Sequence, residues 1–299
     1  MSRHITRRLF AALPIFSLLA GALVAPALSV RQAVAQEAAA PAVPKTGAKI
    51  QLAILLDTSN SMDGLINQAR AQLWKIVNDL ALAKRNGLRP DLEVALYEYG
   101  NNSLKAETNW VRQVVPLTND LDKVSEALFA LRTNGGNEYC GAVIGAAAKE
   151  LSWSEDKNAL KLIFIAGNEP FNQGSIPYED SCKSAVGRGI TVSTIFCGPL
   201  AEGARTYWEQ GAKLADGSFM AIDQNRAVAA IAAPQDKELA ELSSKLNNTY
   251  CAYGAAEKQQ EFAARQEAQD KNAAAAAPGA AASRAGFKAS AQYRNADWD

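Results

Sequence analysis

Residues 49–56 (KIQLAILL) limit the folds open to this chain more than any other stretch. They form a nearly continuous apolar run of strand length, bounded by polar residues. A strand without apolar–polar alternation is buried on both faces, and such a sheet needs helices above and below it. The sequence supplies them in alternation. Within 64–85, Ile66, Ala69, Leu73, Ile76, Val77 and Leu80 recur at helical spacing, and Asn86-Gly87 reads as the helix stop. Residues 91–99 (DLEVALYEY) read as a second strand and 110–116 as a short third one with its Pro at the end. Helices are predicted over 118–131 and 141–151, the latter rich in small residues suited to close packing. Strands at 162–165 and 191–196 flank a helix near 178–186. A helix around 204–214, a strand at 218–222 and helices near 226–232 and 237–246 follow. Strands alternating with helices predict one α/β domain over 48–253, its mostly parallel sheet covered on both faces. A hydrophobic share of 48% excludes wholesale disorder, and 31 basic against 31 acidic side chains leave no excess for nucleic acid.

The two ends read differently. Residues 1–35 carry Arg3, Arg7, Arg8 and Arg31 and no acid, an apolar stretch over 9–30, and Ala33-Val34-Ala35 before Gln36. A basic start, an apolar middle and a small-x-small site describe a secretory signal peptide cleaved after Ala35. Thr6-Arg7-Arg8-Leu9-Phe10 resembles the twin-arginine export signature. The alternative is an uncleaved anchor, the one route by which this reading brings the chain to a membrane. Either way the domain is expected outside the cytoplasm, periplasmic or secreted. Residues 36–47 are an Ala/Pro linker. In the tail, 254–299, a Glu/Gln/Lys/Ala-rich stretch over 255–277 has Phe262 as its only large apolar residue, so a solvated helix or disorder is expected. Pro278-Gly279 breaks it. Phe287, Tyr293 and Trp298 near the end read either as a truncated fragment or as a docking peptide.

Cleavage has chemical consequences. It leaves a net charge of about −4 and removes His4, the one histidine. Ser-His-Asp and Cys-His nucleophile systems, histidine-rich zinc sites and histidine bases are then excluded together. Export also places Cys140, Cys182, Cys197 and Cys251 where disulfides persist, with three pairings open.

Asp57-Thr58-Ser59-Asn60-Ser61 joins the first strand to its helix. Its carboxylate and hydroxyls fall at the carboxyl edge of a parallel sheet, the edge where open α/β sheets bind ligands. Such oxygens suit a hard divalent cation, Mg²⁺ or Ca²⁺. The plainer reading is an N-cap for the helix that follows. Ser59 and Ser61 have no base besides carboxylates, which argues against nucleophilic hydrolysis.

With these residues, and with the order of strands and helices over some 200 positions, the chain resembles the von Willebrand factor A domain family. Asp57-x-Ser59-x-Ser61 matches that family's DxSxS motif after the first strand. The resemblance implies a doubly wound, mostly parallel sheet with one antiparallel edge strand and helices on both faces. It also implies a metal-ion-dependent adhesion site that holds an acidic group of a protein partner. The remaining ligand positions are irregular. The family's Thr after a Gly-Gly turn is replaced by Asn137-Glu138, and its Thr-Asp-Gly after the fourth strand by Ala166-Gly167-Asn168, so Gly167 stands where Asp is usual. Asn137, Glu138, Asn168 and Glu169 are the candidate replacement oxygens beside Asp57, Ser59 and Ser61. The family's fold brings the amino ends of the helices bearing Cys140 and Cys182 to one sheet edge. That implies a Cys140–Cys182 disulfide, with Cys197–Cys251 as the weaker expectation.

The expected function is therefore an exported, non-enzymatic binding module that recognises a protein or acidic ligand through a divalent cation. A metal-free scaffold of an envelope assembly, using its tail as partner arm, is the alternative.

Overall fold

The computed structural model describes residues 47–222, 234–249, 251 and 255–275. The signal and linker readings, the 226–232 helix and the end of the tail lie outside them. β1 (Lys49–Asp57) occupies the interior of a six-stranded sheet, and its side chains divide between two cores. Leu52, Ile54 and Leu56 pack with Leu73, Trp74 and Val77 of α1 (Ile66–Leu82) and Val124 and Leu128 of α2 (Leu121–Ala130). Ala53 and Leu55 pack on the opposite face with Val143, Ile144 and Ala147 of α3 (Cys140–Glu150) and Cys182 and Ala185 of α4 (Tyr178–Gly187). The run is apolar throughout because both faces are covered. Each fully buried Leu or Ile contributes about 1.5–3 kcal/mol.

The other strands are β2 (Asp91–Tyr99), β3 (Val111–Thr118), β4 (Leu160–Gly167), β5 (Ile190–Phe196) and β6 (Phe219–Ala221), in the order β3-β2-β1-β4-β5-β6. All pairs are parallel except β2–β3. The register sets Asp57 beside Tyr99, and Leu56 beside Ala166. From β1 the chain winds one way to β2 and the other way to β4, so the strand order reverses between the carboxyl ends of β1 and β4.

Several elements depart from the sequence reading. Asn86-Gly87 does not stop α1, which ends at Leu82. It forms the tip of a two-residue hairpin in which Arg85 and Leu88 exchange backbone hydrogen bonds of 2.9 and 3.0 Å. Both tip residues have positive φ, +54° and +77°, as a type I′ turn requires. β3 runs past Pro116 to Thr118, which an edge strand tolerates because one side of its backbone needs no partner. The helix expected around 204–214 is two, α5 (Leu200–Arg205) and α6 (Trp208–Leu214), separated by Tyr207 at φ +72°. The Phe171 N–H takes the Thr206 carbonyl at 2.9 Å, and the break turns Trp208 into the core against Phe171 and Phe196.

After α7 (Pro234–Asn247), the tail contains α8 (Ala256–Ala275). This helix is not simply solvated. Phe262 and Gln266 are buried, and Arg265 pairs with Asp120 at 2.8 Å and Glu126 at 3.9 Å beside α2.

No disulfide joins the four cysteines in this structure. Cys140 Sγ lies 3.8 Å from the Tyr99 hydroxyl, whereas Cys182 Sγ donates toward the Gly211 carbonyl at 3.6 Å. Cys197 is buried while Cys251 is exposed.

Candidate functional site

Asp57 ends β1 with no exposed surface. Its Oδ1 accepts the Ser59 N–H at 2.8 Å, fixing the turn into a short 3₁₀ segment, Asn60–Met62. Its Oδ2 is buried without a hydrogen-bond partner. Burial, with Glu138 and Glu169 adding negative charge, pushes the Asp57 pKa up to about 7, against the opposing hydrogen bonds from Ser59. The capping reading fails here, because neither Ser59 before the 3₁₀ segment nor Leu65 before α1 makes a side-chain cap bond.

The serines point into the same cluster. Ser59 Oγ lies 2.8 Å from Ser61 Oγ, Ser61 Oγ donates to Asn168 Oδ1 at 2.9 Å, and Asn168 Nδ2 returns a 2.9 Å bond to the Ser61 carbonyl. Glu138 is buried within the loop between α2 and α3, and burial raises its pKa, with the Ser59 hydroxyl opposing the rise. Ser59 and Ser61 share one hydroxyl–hydroxyl bond, while Asp57 Oδ2 is left without any donor. Oxygen acceptors outnumber protons here, and an oxygen-coordinated cation would relieve that shortage.

Glycines make the convergence possible. Gly100 follows β2 at φ +78°, and a Cβ there would lie 2.8 Å from Asp57 Oδ1 and 3.0 Å from Glu138 Cγ. Gly136 crosses so close to it that a Cβ there would overlap the Gly100 carbonyl. Asn101 then ties three loops together: its Nδ2 donates to Thr58 Oγ1 at 3.3 Å and to the Arg132 carbonyl at 3.0 Å, and its Oδ1 accepts the Ser103 N–H at 2.9 Å.

The other sequence candidates divide. Glu169 is near enough for its charge to act on Asp57 and Glu138, but its Oε2 is approached by Gln173 Nε2 at 3.4 Å. Asn137 is exposed on the loop. Thr133, ahead of the Gly-Gly turn, is hydrogen-bonded to Asp63. Among the described residues, no three His, Cys, Asp or Glu side chains form a ready cage for a metal; the cluster's donors include hydroxyl and amide oxygens. Cys140, Cys182, Cys197 and Cys251 take no part as a bonded pair.

Sequence reasoning missed Tyr99 and Asn101 and left Asn168 as one of several replacements. The Tyr99 hydroxyl donates to the Ala166 carbonyl at 3.1 Å. A Cβ on Gly167 would come 2.5 Å from that hydroxyl, so Tyr99 fills the space that a side chain at 167 would need. Their signal was positional, since Tyr99-Gly100-Asn101 ends the strand paired to β1.

A mostly parallel sheet with an oxygen-rich cluster where its strand order reverses defines a class of binding fold, and the sequence places the chain within it. Residues 51–217 match the von Willebrand factor type A domain, and the chain belongs to that family. Solved structures similar to it include an aerotolerance-related membrane protein from Bacteroides fragilis (18% identity, 60% of this chain and 94% of that one, TM-score 0.42). BatB from Bacteroides thetaiotaomicron (17%, 65% and 99%, 0.44) and the SpRpn10 VWA domain (17%, 68% and 96%, 0.45) are similar too. No curated protein matches the chain.

Proposed function

We propose that this protein is an exported, non-enzymatic binding module that holds a divalent cation at the carboxyl edge of its sheet. The cation would be presented to an acidic group of a protein partner. The buried, unpartnered Oδ2 of Asp57 carries the reading. A carboxylate oxygen out of water without a donor is costly, and Mg²⁺ or Ca²⁺ supplies the missing positive charge. Asp57, Ser59 and Ser61 would hold the cation, with Glu138 standing in for the family's missing ligand and Glu169, Asn137 and Asn168 around it. A bound cation supplies a Lewis-acidic position open to a carboxylate. The chain's own residues orient it: Asn101 fixes the three loops, and Gly100 and Gly136 let the carboxylates approach.

The mutual hydrogen bonds of Ser59, Ser61 and Asn168 favour the second reading, a metal-free scaffold of an envelope assembly. Thermal melts separate the two. Millimolar Mg²⁺ or Ca²⁺ should raise the wild-type Tm above its value in chelator, since a ligand at 100 times its Kd adds about 2.7 kcal/mol to a native state that alone binds it. Asp57→Ala should abolish the rise. Identical wild-type melts in chelator and excess cation would leave the scaffold. Capture of the partner from envelope extract, lost on adding chelator, tests recognition. Signal cleavage is checked by mass spectrometry, with Gln36 expected as first residue. Among the described residues no helix is long and apolar enough to cross a membrane.

A further inference from the structure

The hairpin between α1 and β2 stands at the opposite edge of the sheet from the Asp57 cluster, beside the amino ends of β1 and β2. Every residue from Leu82 to Arg89 is exposed. Leu82, the last residue of α1, and Leu88, in the hairpin, present 47% and 40% of their surface. Between them and after them stand Lys84, Arg85 and Arg89, and no acid occurs between Asp79 and Asp91. The tip is preformed: the type I′ Asn86-Gly87 turn and the paired backbone bonds of Arg85 and Leu88 hold it without help from the core. Its base is fixed too, because the Gly47 N–H donates to the Arg89 carbonyl at 2.6 Å and a Cβ on Gly47 would lie only 2.7 Å from that oxygen. A chain with 31 basic and 31 acidic side chains thus concentrates cations and exposed leucines on one small, rigid projection.

We propose that this hairpin docks the domain on an anionic phospholipid surface. Leu88 in the hairpin and Leu82 at the end of α1 would enter the interfacial layer while Lys84 and Arg85 meet lipid phosphates, the combination that peripheral membrane binding needs. An acidic protein would pair with the cations but gives no role to the two exposed leucines beside them. The edge is also where the chain enters the domain at Gly47, so docking there leaves the carboxyl edge turned away from the lipid and open to a partner. The proposal does not depend on metal binding at Asp57.

Co-sedimentation of the exported protein with vesicles tests it. Phosphatidylcholine vesicles containing phosphatidylglycerol should bring down the wild type, pure phosphatidylcholine vesicles should not, and added salt should weaken the binding. A basic residue near an anionic surface contributes a factor of about five, so Lys84→Gln/Arg85→Gln should lower partitioning about 25-fold. Leu82→Ser/Leu88→Ser should lower it at unchanged charge, and circular dichroism should show both variants folded. Equal sedimentation of the wild type and the Gln variant, or equal binding to charged and uncharged vesicles, would overturn the proposal. So would loss of self-association, rather than of vesicle binding, in the variants.

Discussion

Because burial holds the Asp57 carboxyl near 7 when its ordinary value is 3.8, the folded protein keeps a proton there that the unfolded chain releases several pH units lower. The sign of the linkage follows. The group favours folding below about pH 4, and that contribution is lost as pH rises through 7, once the native state must carry the bare carboxylate. In chelator, the wild-type Tm should therefore decline between pH 4 and pH 8 more than that of Asp57→Asn, which can still accept the Ser59 N–H. At pH 8 the Asn variant should be the more stable protein, by about 1–3 kcal/mol in urea. The same variant should gain nothing from cation. Gly167 provides a second test. Gly167→Asp restores the family's usual carboxylate on paper, yet its Cβ meets the Tyr99 hydroxyl. The single change should destabilise by about 1–3 kcal/mol, and adding Tyr99→Phe should recover part of that loss. Additive effects in a double-mutant cycle would show that the two positions do not compete for space.

At the scale of elements, Arg70 links α1 to the loop that delivers Glu138. Its Nη atoms donate to the Phe129 carbonyl at 3.1 Å and the Leu131 carbonyl at 2.6 Å, at the end of α2. Burial, with Arg132 nearby, lowers its pKa to about 10, still charged at neutral pH. Arg70→Met would leave those carbonyls without their guanidinium, and urea melts should show a loss of about 2–4 kcal/mol. α8 should behave more independently. Phe262→Ala removes its largest buried side chain, so amide exchange along α8 should speed up while the domain's main transition barely moves. The sequence showed β1, β2 and the doubly wound order because burial on both faces leaves an unbroken apolar run. It could not show the hairpin at 85–88, since Asn-Gly stops a helix as readily as it turns one strand into another. Nor could it show the α5–α6 break, which depends on Phe171 claiming a carbonyl from far along the chain. At the site, Asp57, Ser59 and Ser61 were legible as a contiguous motif. Asn168 was legible only as one of several replacements, and Tyr99 and Asn101 were not legible at all, because only strand register places them there.

For the whole molecule, the free thiols give a direct measurement. Cys140, Cys182 and Cys197 are buried, and burial pushes the Cys182 pKa up to about 12 and raises those of the other two as well. A thiol reagent at neutral pH should modify Cys251 in the native protein and the remaining three only after denaturation without reductant. Failure of Cys140 and Cys182 to react even then would restore the disulfide between them.

The place of β1 in the sheet has a mechanical consequence. The strand begins beside Gly47 and ends at Asp57, and it is bonded along its length to β2 on one side and β4 on the other. If the domain is held at its amino edge while a partner pulls at Asp57, tension runs lengthwise down this one strand. Its two rows of hydrogen bonds then share the load in shear, instead of opening one at a time from a free end.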